Sequence, residues 1–397
     1  MNRKDAKDAR ETDGVFVGQI GVADLNRTLL FAATGKRKFP KLRALCALSE
    51  AGVRTMCVKK ISQKKSLFKS TDKTSGKDKI MSQIKKVCVF GLGGVGGYFG
   101  GKMADIIAKM KAPGHEIYFI ARGTHLSAIK DNGIKVVSPD QTISGIPTIA
   151  SDHIGDIPAP DLFFICVKSY DLKDAIEAIK PKINKHTIII PLLNGADIYD
   201  RIRAVLTGAI VLPACVYVGT HIGRPGVIQQ NGGDGKILIG NDPQFDDFSA
   251  TPVKNYFEKV GLNFKWTHDP FPAIWEKYMF IAAYGLVTAY SGKTIGEVLI
   301  DAESKKLVRS IMMEIFSISK QKGIELPQDI VDRSIAKAGN FPFETKTSYQ
   351  RDIEQKGSIN EGDLYGGFIT RQGRALGIAT PTTQFVYSQI LEKTGDR

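Results

Sequence analysis

The sequence predicts an α/β protein in which a doubly wound parallel sheet is followed by an all-helical domain. Short apolar strands alternate with helical stretches from Lys85 onward, a pattern typical of βαβ units. A glycine turn separates the first strand from the first helix, and the strand pattern stops after about Thr267. We therefore expect a sheet domain over residues 82–267, a helical domain over residues 268–397 and a separate leader over residues 1–81.

The predicted elements follow in chain order. A first strand, Val87–Phe90, leads into the turn Gly91–Gly97 and a helix over Tyr98–Met110. The later strands are apolar runs of the kind that a sheet covered on both faces requires, and they are Glu116–Ala121, Leu162–Val167, Thr187–Leu193 and Val211–Val218. Val227–Gln230 and Lys236–Ile239 flank Asn-Gly-Gly-Asp-Gly, which predicts a hairpin. The predicted C-terminal helices are Ala273–Tyr290, Ile295–Gly323, Gln328–Ala338 and Glu361–Leu376.

The net charge of +14 is concentrated in the leader. Residues 1–80 hold 19 Lys and Arg against 8 Asp and Glu, a net of +11, so the other 317 residues carry only +3. The leader shows no sustained apolar period, and Met81 precedes the first strand closely. We expect the leader to be disordered or not part of the fold, with a nucleic-acid or membrane-surface arm as the alternative. For the body we expect no nucleic-acid partner.

Cysteine and histidine usage excludes several protein classes. The five cysteines form no CxxC pair and the six histidines no HxxxH pair, which argues against a disulfide scaffold and against a metal site. The uncharged stretch Tyr278–Gly292 is shorter than the ~20 residues that a membrane span needs. We therefore expect a cytoplasmic protein without a membrane partner or metal, either a monomer or a homodimer.

Gly91, Gly93 and Gly96 form a GxGxxG motif between a strand and a helix. In a Rossmann-type fold the first glycine permits the tight turn, and the second lets the backbone approach a pyrophosphate. The third lets helix and strand pack closely, while the phosphate rests on the helix N-terminus. We assign these three glycines and Gly94 to a dinucleotide site.

The residue after the second strand indicates which dinucleotide is bound. An NAD site normally places Asp or Glu there, whereas this chain has Arg122 and no acid before Asp131. A guanidinium offers forked donors and a permanent charge to a 2′-phosphate. This favours NADPH, although a solvated surface arginine is the alternative.

Two further strand ends carry polar side chains. Lys168 follows the run that ends at Val167, and Asn194 follows the run that ends at Leu193. Ligands of open α/β sheets bind outside the carboxyl ends of the strands, so we expect both side chains to face the crevice. A solvated lysine and a simple Asn-Gly turn are the alternatives.

Lys277 begins a long uncharged helical stretch. A lysine at this place either reaches water or points into a cleft, where burial would lower its pKa toward the range useful for proton donation. The polar stretch 340–366 contains Ser348 and Glu361. Composition alone does not separate catalytic from surface residues in it.

Taken together, these segments resemble the ketopantoate reductase (2-dehydropantoate 2-reductase) family from about Ile84 to the C-terminus. The matching segments, in the family's order, are Gly91–Gly101, Ile120–Leu126, Cys166–Tyr170, Leu193–Gly195, Trp275–Lys277, Thr347–Asp352 and Glu361–Phe368. The resemblance implies that NADPH reduces a 2-oxo acid to a 2-hydroxy acid on the route to pantothenate and coenzyme A.

The resemblance also implies roles for single residues. Lys277 would be the general acid, and Glu361 would bind the substrate hydroxyl and orient that lysine. Asn194 would contact the nicotinamide side and the substrate oxygen. Ser348 would bind the substrate carboxylate, and Lys168 would lie near the cofactor.

Two positions depart from the family pattern. The family usually carries asparagines four and eight residues after the catalytic lysine, and this chain has Ile281 and Gly285 there. On a helix these positions share the face of Lys277. We therefore expect Ile281 to form an apolar wall of the substrate pocket and Gly285 to leave free space in it.

Three functions remain open at this point. The first is ketopantoate reduction, and the second is reduction of another 2-oxo acid by a β-hydroxyacid or opine-type dehydrogenase. The third is a non-catalytic NADP-binding sensor, which would have no need of Lys277 or Glu361.

Overall fold

The computed structural model describes residues 83–110, 114–245, 247–355 and 359–395, which belong to one compact unit. The leader and Met81 lie outside these ranges. Eleven strands lie within the described residues: β1 (Lys86–Phe90), β2 (Glu116–Ile120), β3 (Ile134–Val137), β4 (Thr142–Gly145), β5 (Ile149–Ser151), β6 (Leu162–Ile165), β7 (Ile188–Pro191), β8 (Ile210–Val211), β9 (Ala214–Arg224), β10 (Val227–Gly240) and β11 (Phe264–Thr267).

Six strands form a parallel sheet in the order β5-β2-β1-β6-β7-β8. The register places Phe90 beside Ile120 on one side and beside Ile165 on the other, and Ile165 beside Pro191. Four strands therefore end at nearly the same level. The residues that follow them meet at one edge of the sheet.

The faces of this sheet are buried in two different apolar clusters. Phe163 and Ile165 of β6 belong to one cluster, and Leu162 and Phe164 belong to the other. Successive side chains of a strand point to opposite faces, so a strand covered on both faces is apolar at every position. This confirms the predicted doubly wound sheet.

A second, mixed sheet was only partly predicted. It has the order β11-β10-β3-β4, and β9 pairs antiparallel with β10. The predicted hairpin at Asn-Gly-Gly-Asp-Gly is wrong, because β10 continues through that segment beside β9. Register shifts between Gln230 and Lys236 absorb the glycines as bulges, and the chain reverses before Val227 instead.

The helices of the described residues are α1 (Gly94–Met110), α2 (Gly123–Asn132), α3 (Leu172–Ile179), α4 (Ile198–Arg203), α5 (Thr251–Lys259), α6 (Phe271–Ser291), α7 (Ile295–Ile300), α8 (Ala302–Gln321), α9 (Ile330–Ala338), α10 (Ser348–Glu354), α11 (Phe368–Leu376) and α12 (Pro381–Thr394). A π-helical turn, Asp363–Gly367, precedes α11. Short 3₁₀ turns are Ile154–Asp156, Ser169–Asp171 and Lys180–Lys182.

The C-terminal helices confirm the predicted helical region, with local differences. The predicted helix over 295–323 divides at Asp301, whose backbone is extended and whose carboxylate accepts a hydrogen bond from the Ser304 N–H at 2.9 Å. Asp301 thereby caps α8. The sequence analysis missed α10 and α12, which are short or weakly patterned.

The helical region shares its core with one face of the parallel sheet. Trp275 and Tyr278 of α6 belong to the same apolar cluster as Phe163 of β6. Within the described ranges, no helix is both long and apolar enough to cross a membrane. The last strand ends at Thr267 and α6 begins at Phe271, and the division into domains at this point stays a prediction.

Candidate active site

The glycine turn packs β1 tightly against α1 and leaves one backbone face open. Gly91 has a φ of +94°, which favours glycine, and a side-chain carbon at Gly96 would lie 1.9 Å from the Gly91 carbonyl oxygen. At Gly93 no atom of the described residues lies within 4 Å of such a carbon. Gly94 instead faces Thr220 of β9. A side-chain carbon at Gly94 would lie 2.5 Å from the Thr220 carbonyl oxygen. The turn fits a phosphate at Gly93, at the N-terminus of α1.

Arg122 follows β2 at the same sheet edge. Its side chain is 75% exposed and forms an ion pair with Asp171 at 2.7 Å. Exposed ion pairs contribute little to stability, so the guanidinium can exchange this partner for another anion at small cost. The structure thus places a permanent positive charge where the sequence predicted the 2′-phosphate.

Lys168, which follows β6, binds two carboxylates from the helical region. Its Nζ lies 3.0 Å from Oε2 of Glu361 and 2.9 Å from Oδ2 of Asp352. Burial alone would lower the pKa of Lys168, but these carboxylates raise it above the ordinary value. The Ser169 N–H also donates to Oε1 of Glu361 at 3.1 Å. Glu361, only 6% exposed, is therefore held against the sheet edge.

Lys277 is paired with an amide. Its Nζ donates to Oδ1 of Asn194 at 2.8 Å, and Asn194 follows β7. Burial lowers the pKa of Lys277 below the ordinary lysine value. Glu361 binds Lys168 and Ser169 here, so the orientation of Lys277 by Glu361 stays a prediction. The ammonium of Lys277 is positioned by Asn194.

Ser348 reaches the site through Tyr365, a residue that the sequence analysis missed. Tyr365 is buried in the π-helical turn, and its hydroxyl interacts with the side chains of Ser348 and Asn194. Burial is the largest influence on this hydroxyl and raises its pKa. The Tyr278 hydroxyl donates to the Leu364 and Tyr365 carbonyls, at 2.9 and 3.2 Å. Nothing in the sequence pattern separates Tyr365 from an ordinary core residue.

Ile281 and Gly285 lie one and two turns after Lys277 on α6. Ile281 is half-buried, and Gly285 is fully buried. At Gly285 a side-chain carbon would lie 3.6 Å from Cβ of Tyr349, an ordinary contact distance, so a methyl group fits there and Tyr349 bounds the space. Tyr349 belongs to α10, the helix that the sequence analysis missed. Ile281 packs against the apolar core cluster to which Tyr349 belongs.

The site can supply a proton beside a sheet edge that fits a dinucleotide. Lys277, Asn194, Tyr365 and Ser348 form one connected group, and Lys168 with Glu361 forms a second group beside it. An ammonium whose pKa is lowered is suited to protonate an oxygen on which negative charge develops.

Comparison with known proteins gives matches over most of the described chain. The family model described as "Ketopantoate reductase PanE/ApbA" matches residues 87–244. The model described as "Ketopantoate reductase PanE/ApbA C terminal" matches residues 271–394.

Individual relatives agree with these matches. The chain is 26% identical to an uncharacterized oxidoreductase, YkpB, of Bacillus subtilis over 77% of this chain and 97% of that protein. It is 26% identical to a 2-dehydropantoate 2-reductase of Mesorhizobium japonicum, over 77% and 96% of the two chains. A 2-dehydropantoate 2-reductase structure from Porphyromonas gingivalis matches with a TM-score of 0.65 and 30% identity, over 78% of this chain and 100% of that one.

Proposed function

The chain belongs to the ketopantoate reductase PanE/ApbA family, and on that premise we propose that it reduces 2-dehydropantoate (ketopantoate) to pantoate with NADPH, in pantothenate and coenzyme A biosynthesis. The observation that carries this proposal is the hydrogen bond between Lys277 and Asn194, 2.8 Å long. It supports the proposal because it brings an ammonium group to the sheet edge, where dinucleotides bind in folds of this kind.

The choice of NADPH rests on the glycine turn and on Arg122. The open backbone at Gly93 suits a pyrophosphate, and Arg122 offers donors to a 2′-phosphate once it leaves Asp171. When bound, the reduced nicotinamide supplies the hydride. Every other step belongs to side chains of this chain.

The side chains act on the oxygen and the polar groups of the substrate. Lys277 donates its proton to the ketone oxygen, and its lowered pKa makes this transfer easier. Asn194 holds the ammonium in place. Glu361 accepts from the substrate hydroxyl while Lys168 compensates its charge, and Ser348 donates to the carboxylate end from beside Tyr365.

A second candidate is reduction of a 2-oxo acid without the hydroxyl. It is favoured by Ile281, an apolar residue one turn after Lys277 on α6. A pocket that cannot hydrogen-bond a hydroxyl discriminates weakly between a hydroxylated substrate and its apolar analogue. Glu361 is the group that favours ketopantoate, because it brings a buried carboxylate to the same pocket.

The test is a comparison of kcat/KM for ketopantoate and for 2-oxoisovalerate, its analogue without the hydroxyl, each with NADPH. We expect ketopantoate to lead by about ten-fold or more, since a hydrogen bond to a charged group contributes ~1.5–3 kcal/mol. Equal values would select the second candidate. Cofactor binding without turnover of any 2-oxo acid would make the protein a sensor and refute both.

A further inference from the structure

Two lysines contact one aromatic ring, that of Tyr217. Nζ of Lys277 lies 5.8 Å from the ring centroid of Tyr217, and Nζ of Lys337 lies 5.5 Å from it. Tyr217 belongs to β9, whereas Lys277 and Lys337 belong to α6 and α9. Such distances fall within the range of cation–π interactions. Residues from three separate elements thus meet at this ring, and each ammonium group lies within cation–π range of its centroid.

The positive charge of this pair is not balanced by a carboxylate. Among the residues that the structure describes, neither Lys277 nor Lys337 forms an ion pair. The other titratable groups near the ring are Cys215 and Glu276, and Glu276 lies beyond ion-pair distance of both lysines. Lys168, in contrast, has two carboxylate partners. The end of the site at Tyr217 therefore has an excess of positive charge, and an anion is the ligand that such a place favours.

The shape of a 2-oxo acid fits this arrangement. Its carboxylate carbon is bonded directly to the ketone carbon, so a group that holds the ketone oxygen has the carboxylate close beside it. In the proposed reaction Lys277 donates its proton to the ketone oxygen. Lys337 is exposed and carries its charge on a flexible four-carbon stem, so it can follow an anion that lies next to Lys277.

We propose that Lys337 binds the carboxylate of the 2-oxo acid substrate, with the Tyr217 ring in contact with both its ammonium group and that of Lys277. This inference rests on the proposed function, which supplies the substrate class. The family resemblance implies that Ser348 binds the substrate carboxylate. Ser348 is a neutral hydrogen-bond donor, and its side chain interacts with Tyr365. Lys337 adds the charge that Ser348 lacks.

A second consequence concerns the proton donor. The charge of Lys337 contributes to the lowered pKa of Lys277, although burial is the larger cause and Cys215 acts in the opposite direction. Replacing Lys337 by a neutral residue removes a like charge, so the pKa of Lys277 rises. Because the donor must be protonated, the rate of reduction then falls at a higher pH than in the wild type, so the basic limb of the pH–rate profile is shifted. A merely structural role for Lys337 would not move that limb.

The experiment compares the full-length wild-type protein with Lys337→Met, Lys337→Arg and Lys185→Met. Lys185 is an exposed lysine at the amino end of β7, on the opposite edge of the sheet, and serves as the matched control. Two quantities are measured in the presence of NADPH. These are the KM for 2-oxo acids and the Kd for oxamate, a carboxylate with an adjacent amide carbonyl that cannot be reduced. Melting temperature and NADPH affinity show whether each variant is folded.

We expect Lys337→Met to weaken oxamate binding and raise KM by about ten-fold or more, the effect of one lost charge-assisted hydrogen bond. Lys337→Arg and Lys185→Met should stay within about two- to three-fold of the wild type, since the first keeps the charge at this position. Unchanged oxamate binding and KM in folded Lys337→Met would overturn the inference.

Oxamate binding also separates this inference from the proposed function. If the wild type reduces no 2-oxo acid but binds oxamate through Lys337, the proposed function fails and the carboxylate site stands. If the wild type reduces ketopantoate and Lys337→Met binds oxamate and ketopantoate as the wild type does, the reaction stands and the carboxylate site fails. Absence of oxamate binding by the wild type would also refute the carboxylate site.

Discussion

Alanine substitutions at Gly93 and Gly96 should have different effects, although the two glycines belong to the same turn. At Gly96 a methyl group would lie 1.9 Å from the Gly91 carbonyl oxygen and 2.9 Å from Cβ of Cys166. The carbonyl is backbone and cannot rotate away, so α1 must move from β1. Overpacking of this kind costs about 1–3 kcal/mol, which corresponds to a fall in Tm of roughly 2–5 °C for a folding unit of this size.

Gly93→Ala adds a methyl group where no atom of the part of the chain that the structure describes lies within 4 Å, at a residue whose φ is not in the left-handed region. Its Tm without cofactor should therefore stay at the wild-type value or rise slightly. The methyl group projects into the face that we assign to the pyrophosphate. We expect the Kd for NADPH to rise about ten-fold or more, since at least one charge-assisted hydrogen bond is lost.

The assay is thermal unfolding without cofactor, followed by fluorescence titration with NADPH. Wild-type affinity in Gly93→Ala would refute the assignment of the turn to the pyrophosphate. An unchanged Tm in Gly96→Ala would refute the packing argument for the third glycine. The two substitutions serve as controls for each other, because both change the same loop by one methyl group.

Three further substitutions test the other parts of the site. Arg122→Asp should weaken NADPH binding about ten-fold or more and leave NADH binding nearly unaffected, because an attraction to the 2′-phosphate becomes a repulsion. An unchanged ratio of the two Kd values would contradict this. Lys277→Ala should lower kcat by ~10²–10⁴-fold at nearly unchanged NADPH affinity. In the wild type the rate of reduction should fall as pH rises through the lowered pKa of Lys277, and a rate that persists to the ordinary lysine pKa of ~10.4 would speak against it as the donor. Glu361→Gln should raise the KM for ketopantoate more than that for 2-oxoisovalerate, and equal changes would show that Glu361 does not contact the hydroxyl.

The sheet edge of the site was predictable because parallel strands end together. Gly91, Arg122, Lys168 and Asn194 each follow an apolar run, and the register of β1, β2, β6 and β7 aligns the ends of those runs. Chain order and periodicity were enough to predict this part, because the carboxyl ends of parallel strands lie at one edge of the sheet.

The helical side of the site was less predictable, because its contacts join residues far apart in the chain. Glu361 meets Lys168 across 193 positions, and no periodicity encodes such a pair. Tyr349 lies beside Gly285 because α10 forms, and α10 has just seven residues. Tyr217 contacts Lys277 and Lys337 from β9, where it pairs with Lys236 of β10, and such a meeting of distant residues has no signal in the sequence.

The most direct test of the proposed reaction follows the transferred hydrogen. Ketopantoate is incubated with the protein and with NADPH that carries deuterium at the transferable position, and the product is analysed by mass spectrometry. We expect pantoate with one deuterium on the carbon that carried the ketone, formed by the wild type and almost absent with Lys277→Ala. Ketopantoate recovered unchanged from the folded, NADPH-bound wild type, or a product without deuterium, would contradict the proposed reaction.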